Sequence, residues 1–281
     1  MSASAEDLAV PRVRCRQILQ GDLETLASIL KIGFPGHAPG YWENGLARIA
    51  ARPTIKGMPH IGYTLEADCG LVGVIFTISS RRDQQIICNL SSWYVEPPYR
   101  RAHAKSLPIM ATSVENVIYL NTSPADHTRR TMTSLGWTRY NFGRSVAFPV
   151  LTMGTGKVSE DIPVDLPERI LLEDHRALGC ISVVCMKDGA VSPFVLRPRR
   201  VTRLQLPILE LIYCRATSEF ERCGGALGRY FLARGSLGFI LDGKVKRMPS
   251  IYVEEKEPRL YKGPHLPKLN DLAYTEKVMF G

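Results

Sequence analysis

Arg12–Leu19, RVRCRQIL, alternates polar and apolar residues, which predicts a half-buried strand. Asp22 stands where a helix N-cap belongs, and Leu23, Leu26, Ile29 and Leu30 then recur at helical spacing. After the loop Gly33–Gly40, a second helix is expected from Trp42 to Ala51, ending before Pro53. Ile61–Glu66 and Leu71–Ile78 flank a turn at Ala67–Gly70 and predict a hairpin. A third strand, Ile86–Val95, ends at Pro97-Pro98, because proline cannot donate to a ladder. Pro108 suits only a first helical turn. The next helix is therefore expected near Leu107, after a long loop, rather than near His103. A strand Val117–Asn121, a helix Ala125–Leu135 stopped by Gly136, and strand character from Trp137 through Val150 complete this half.

Residues 153–163 are poor in large apolar side chains and rich in turn formers. They predict a linker between residues 1–152 and 164–281. Beyond it come a helix Pro167–Ala177 and a hairpin, Cys180–Met186 with Val191–Arg197, turning on Asp188-Gly189. A strand Leu206–Cys214 and a helix to Ala233, opened by the capping-box spacing of Ser218 and Glu221, follow. Gly224, Gly225 and Gly228 lie inside that helix, where they suit close packing; Leu237–Leu241 is a last strand. Each half thus runs hairpin, third strand, helix, fourth strand, without any residue-level repeat. The fold class is α/β, with a mixed sheet of α+β type.

Composition narrows the partners. The chain has 281 residues, enough for one large or two small domains. No apolar run is long enough to span a bilayer and no signal-type apolar core opens the chain, so a cytoplasmic location is expected. The seven cysteines are odd in number and lack C-x-x-C spacing, which predicts core thiols and no metal. A net charge of +9 favours polyanionic partners. Arg197, Arg199, Arg200 and Arg203 cluster, as do Arg129 and Arg130, but without interleaved aromatics. They are expected to be solvated faces rather than a nucleic-acid surface.

The candidate chemistry sits in Trp93–Leu107, WYVEPPYRRAHAKSL, a strand running through a basic segment into a helix. Val95-Glu-Pro-Pro-Tyr-Arg100, the pairing of Gly62-Tyr with Gly73-Val, and Leu135-Gly136-Trp137 occur in an order that resembles the GNAT (GCN5-related N-acetyltransferase) family over residues 12–150. The second half resembles a reduced copy. The resemblance implies a GNAT-like fold and transfer of an acyl group from acetyl-CoA or a longer acyl-CoA to an amine. The acceptor would be a small molecule or peptide, attacking directly. Donor contacts would fall on Trp93, Tyr94, Val95, Arg100, Arg101, Ala102, His103, Ala104 and Lys105. A backbone N–H of Ser91–Val95 would meet the oxyanion.

The sequence departs from the family at three places. Its usual glycine positions hold His103 and Lys105, so the loop is expected to be longer or more open. Arg100, Arg101 and Lys105 would then supply charge in place of a backbone nest, giving a modified anion loop. Met132 stands where a tyrosine acid is common, and Ser91 and Ser92 where a carboxylate base would be. Tyr94, His103 and Glu66 are the candidates for proton transfer. The acceptor site is expected between the two halves, shaped by loops 33–41 and 52–60, with Phe34, Tyr41 and Trp42 as contacts. Met132 and the glycine-free loop favour one alternative, a non-catalytic acyl-CoA or small-molecule binding module. The charge permits another, a tandem-GNAT aminoacyl transferase using aminoacyl-tRNA, which no RNA-reading pattern supports.

Overall fold

A computed structural model of the protein describes residues 12–82, 84–150, 155–201 and 205–281, with only the backbone of 255–257. The chain divides into two compact units, one built from residues up to Ser79 with Leu90–Glu115, the other from Ser80–Asn89 with Asn116–Gly281. These units do not follow the 153–163 segment. That segment also carries a short strand, Lys157–Ser159, where only linker is expected; Met153 and Gly154 lie outside the described residues.

In the first unit, strands β1 (Arg14–Gln17), β2 (Gly62–Ala67), β3 (Gly70–Arg82) and β4 (Gln85–Val95) neighbour one another in that order. The pairs β1–β2 and β2–β3 are antiparallel, and β3 and β4 continue into the second unit. Helix α1 (Leu23–Gly33) buries Leu26, Ala27, Ile29 and Leu30, and α2 (Tyr41–Ala50) buries Trp42, Leu46 and Ile49. Those apolar stripes are what hold both helices on the unit's core. Asp22 does not cap α1. Its carboxylate accepts the Leu19 N–H at 2.7 Å and pairs with Arg16 at 2.7 Å.

The expected long loop after β4 is absent. Helix α3 (Pro97–His103) starts two residues past the strand, and α4 (Ser106–Ala111) follows at once. Pro97 and Pro98 occupy the first two helical positions, where a missing N–H costs nothing and the fixed φ suits a helix. They end the strand and start the helix together. Pro108 also falls in a first turn, that of α4.

The second unit contains β5 (Val117–Asn121), α5 (Asp126–Ser134), β6 (Thr138–Ala147), β7 (Lys157–Ser159), α6 (Arg169–Ala177), β8 (Ile181–Lys187), β9 (Ala190–Val201), β10 (Leu206–Cys214), α7 (Thr217–Leu232), β11 (Phe239–Asp242), β12 (Ser250–Lys262) and α8 (Glu276–Met279). The start of β4 pairs parallel with β5, and the order continues β12, β6, β11, β10, β9, β8, β7. The hairpin β8–β9 turns on Asp188 (φ +51°) and Gly189 (φ +74°), the left-handed pair that such a two-residue turn requires. Edge-to-face contacts among Phe194, Phe220, Phe231 and Phe239 tie α7 to this sheet. Ser218 makes no capping box: the helix starts one residue earlier, and Glu221 instead accepts the N–H groups of Lys246 and Arg247. Gly228 lies against the Val150 backbone and Gly224 against Met248, close approaches that a Cβ would obstruct.

Cys88, Cys180, Cys185, Cys214 and Cys223 are buried and outside any disulfide among the described residues. Among the described residues no helix is long and apolar enough to cross a membrane.

Candidate functional site

The parallel β4–β5 ladder runs from Ile86↔Val117 to Asn89↔Leu120 and ends there. Three residues further, Ser92 adopts φ +53°, a left-handed conformation that disfavours a side chain. Tyr94 and Val95 are buried, while Ser92 and Trp93 are half-buried. The Glu96 N–H returns to the Val72 carbonyl at 2.9 Å, and α3 begins.

This entry to α3 lacks a backbone anion cradle. Pro97 and Pro98 carry no N–H, and the Tyr99 N–H is bonded to the Glu96 carbonyl at 3.0 Å. Arg100, Arg101, Ala102 and His103 are helical, and Ala104 and Lys105 stay in right-handed helical geometry. The segment expected to open has closed into helix instead, because without glycine nothing there favours a nest. Arg100 is turned back onto the strand. Its Nε donates to the Val95 carbonyl at 2.6 Å, and its guanidinium lies 5.4 Å from the Tyr94 ring centre. Arg101 and Lys105 are exposed, and His103 is half-buried.

Tyr94 belongs to an aromatic cluster at the end of α1 and the start of α2. A Cβ at Gly33 would lie 2.5 Å from the Tyr94 ring, so glycine is what lets this ring seat against α1. Phe34 is 5.9 Å from Tyr94 and 5.6 Å from Trp42; His37 stacks on Tyr41 at 4.0 Å. The structure therefore brings Phe34, Tyr41 and Trp42 together, with Tyr94 beside them. Glu66 is placed differently. Arg16 bridges it to Asp22, at 2.9 Å to Glu66, and that hydrogen bond holds the Glu66 carboxyl below the usual carboxylate range. Met132 is fully buried in α5.

The second unit holds another parallel pair further along the sheet, with a difference no local pattern announces. Here the parallel pair is β10–β11, registered at Leu209↔Phe239 and Glu210↔Ile240, and β10 bulges between Leu211 and Tyr213. Past that bulge the chain's own residues 270–272 lie along β10. The Leu272 N–H donates to the Ile212 carbonyl at 2.8 Å, and the Cys214 N–H to the Asn270 carbonyl at 3.1 Å. The Asn270 side chain accepts the Asp242 N–H at 2.6 Å and donates to Thr217 at 2.9 Å and to the Asp242 carbonyl at 3.2 Å. Asn270 sits at φ +61°, which asparagine tolerates better than most residues. Asn270→Ala is expected to cost about 2–3 kcal/mol, since it strands the buried Asp242 N–H and puts alanine at a left-handed position. A denaturation midpoint unchanged from wild type would show that water replaces the amide.

Two further groups escape a linear reading. Glu276 of α8 accepts hydrogen bonds from Asn89, Thr122 and Ser123, at 2.5 Å from Thr122 and 2.6 Å from Ser123. The expected solvated face at Arg197–Arg203 is also corrected. Arg197 is mostly buried and donates to Glu210 at 2.9 Å, while Lys277 reaches the same carboxylate at 2.7 Å. Arg199 and Arg200 are exposed, and Arg203 lies outside the described residues. Glu210 sits directly across the β9–β10 ladder from Arg197, a pairing between strands that local composition does not reveal. Beside this group, Arg259 pairs with Asp242 at 2.6 Å, both essentially excluded from water.

The fold of the chain is that of the GCN5-related N-acetyltransferases. One similar solved structure is a GCN5-related N-acetyltransferase from Anabaena variabilis ATCC 29413, with TM-score 0.62 and 11% identity, covering 89% of this chain and 72% of that one. A putative acetyltransferase from Pyrococcus horikoshii gives TM-score 0.56 and 13% identity over 98% and 97% of the two chains. A glucosamine N-acetyltransferase region of a fungal multi-domain β-N-acetylglucosaminidase gives 0.60 and 12% over 90% and 38%. At these identities the likeness is one of fold. No family model matches the sequence, and no curated protein matches it.

Proposed function

We propose that the protein transfers an acyl group from acetyl-CoA or a longer acyl-CoA to an amine. The observation that carries this reading is the end of the β4–β5 ladder at Asn89, followed by the left-handed Ser92. In a fold of this class, that stretch is where a donor's amide arm lies along the strand. Ser91–Val95 then bond the pantetheine amides, and one N–H faces the developing oxyanion. Arg101 and Lys105 meet the diphosphate with side-chain charge, since the backbone cradle is missing. Trp93 and Val95 flank the arm, and Ala102 and Ala104 leave room beside the charges.

The acceptor amine attacks the thioester carbonyl carbon. The C–N bond forms, the C–S bond breaks, and the sulfur leaves as thiolate. The Tyr94 hydroxyl gives the thiolate its proton, and the amine's surplus proton leaves through water. His103, at the end of α3, remains the second candidate. Glu66 is set aside, because its ion pair with Arg16 makes it a weak base. The cluster of Phe34, His37, Tyr41 and Trp42 suits an amine with an apolar or aromatic body, and a cation is also attracted to such rings. Residues 270–272 hold the equivalent stretch in the second copy, so one donor per chain is expected. We read residues 1–152 and 164–281 as a complete and a reduced copy of one architecture.

Calorimetry with acetyl-CoA and thiol release across an amine panel test this reading together. The expected result is one donor bound per chain, with thiol release that depends on the amine. Tyr41→Ala should raise the acceptor KM roughly tenfold, the loss of one aromatic contact of about 1–2 kcal/mol, and leave donor affinity alone. No donor binding at millimolar ligand overturns the proposal. The proline pair at the start of α3 favours a second reading, a binding module that has lost the chemistry. Donor binding without turnover on any amine would select it.

A further inference from the structure

The second unit holds a cleft of about 540 Å³ at the ends of α6 and α7, lined also by the adjoining ends of β8, β9 and β10. Small-molecule sites generally enclose about 300–1,000 Å³. The lining shares no residue with the donor stretch at 91–105.

Its electrostatics are one-sided. Arg176, Arg199, Arg200 and Arg234 line the cleft, and Glu160 is the one acid among the lining residues. Three of the arginines are anchored by neutral groups. Arg176 Nη2 donates to the carbonyls of Glu160 and Ser182, at 2.6 and 3.1 Å. Arg200 Nη1 donates to the Gln205 carbonyl at 3.4 Å. Arg234 Nη1 donates to the Tyr230 carbonyl at 3.1 Å, and its guanidinium stacks 3.5 Å from the centre of that ring. Carbonyls and a ring fix these groups without cancelling their charge. Arg199 comes only within 3.9 Å of Glu210, an acid already paired with Arg197 and Lys277. The Glu160 carboxylate accepts the Tyr230 hydroxyl at 2.6 Å, a neutral donor. The cleft therefore sets four guanidinium groups against one lining carboxylate, with Arg176, Arg200 and Arg234 held by carbonyls and a ring. Beside them, Ile181, Ile208 and Phe231 supply apolar lining.

We propose that this cleft binds a small organic phosphate. Arg199, Arg200 and Arg234 hold the phosphoryl oxygens, and the apolar body lies against Ile181, Ile208 and Phe231. A phosphate is favoured over a carboxylate because its second charge meets several fixed cations, and because guanidinium forks match its oxygens.

Phenyl phosphate titrated calorimetrically into the full chain is the test, with inorganic phosphate, benzoate and benzyl alcohol as partial probes. Phenyl phosphate is expected to bind roughly tenfold or more tightly than each of the others, with an affinity that falls as salt rises. Arg200→Ala with Arg234→Ala, both exposed positions, is expected to weaken it by about 10–100-fold, as for charge-assisted hydrogen bonds elsewhere, while thermal melting and acetyl-CoA titration stay as in wild type. No heat at millimolar phenyl phosphate overturns the proposal, as does unchanged affinity in the double variant. Benzoate binding as tightly as phenyl phosphate overturns the phosphate assignment. Parallel loss of acetyl-CoA binding would overturn a separate site.

Discussion

Glu210→Ala is expected to lower the stability of the folded protein by about 3–5 kcal/mol, the usual cost of breaking a buried ion pair from one side. The loss comes from Arg197 and Lys277, left facing one another in a nearly dry site. Burial by itself would push the Glu210 carboxyl up; Lys277 and Arg197 outweigh it and hold the pKa at about 2. Burial pulls the Lys277 pKa down, and Glu210 opposes that, so the variant also makes Lys277 easier to deprotonate. The sign of the pH dependence follows. An unfolded glutamate titrates near about 4.3. With the folded value depressed, the stabilisation is complete above that pH and disappears as pH falls through about 2. The gap between wild type and variant in urea midpoint should narrow across that window. A gap below about 1 kcal/mol at neutral pH would match a solvated surface pair and refute the buried assignment.

Tyr94→Phe is expected to reduce turnover by about 10²–10⁴-fold, the ordinary worth of a positioned general acid. The substitution removes one oxygen and keeps the ring against Gly33, Phe34 and Arg100. Donor affinity should therefore stay as in wild type, which separates lost chemistry from a disturbed site. Glu66→Gln serves as the comparison: it should leave turnover in place and weaken only the Arg16 ion pair. If Tyr94→Phe retains full turnover and His103→Ala does not, the proton belongs to His103. If neither moves turnover, water alone carries it.

Much of this arrangement is visible in the chain before any coordinates. Leu26, Ile29 and Leu30 stand where periodicity places them, on the buried stripe of α1, and the β2–β3 hairpin is legible as two apolar runs around a turn. Trp93–Lys105 also shows its strand and its charges. Its backbone is ambiguous, since a proline pair both stops a ladder and starts a helix, and only the surroundings choose. Strand β12 hides for another reason. Ile251 and Val253 point to solvent at 59% and 53% exposure, so its apolar residues mark the wrong face. Glu276, Asn270 and Glu210 owe their roles to partners far away in sequence, and no local pattern encodes those.

The place of β12 bears on how the polypeptide reaches its native state. It lies between β5 and β6, pairing Leu260 with Asn121 and Ser250 with Ala147. During synthesis those two strands emerge roughly 100 to 140 residues before the piece that joins them, which makes this ladder late and slow to close. Until then both present unpaired edges, the kind of surface that recruits other chains. A nascent chain released early should associate with its neighbours, and dependence on holding factors should end only once residues near 260 have cleared the ribosome.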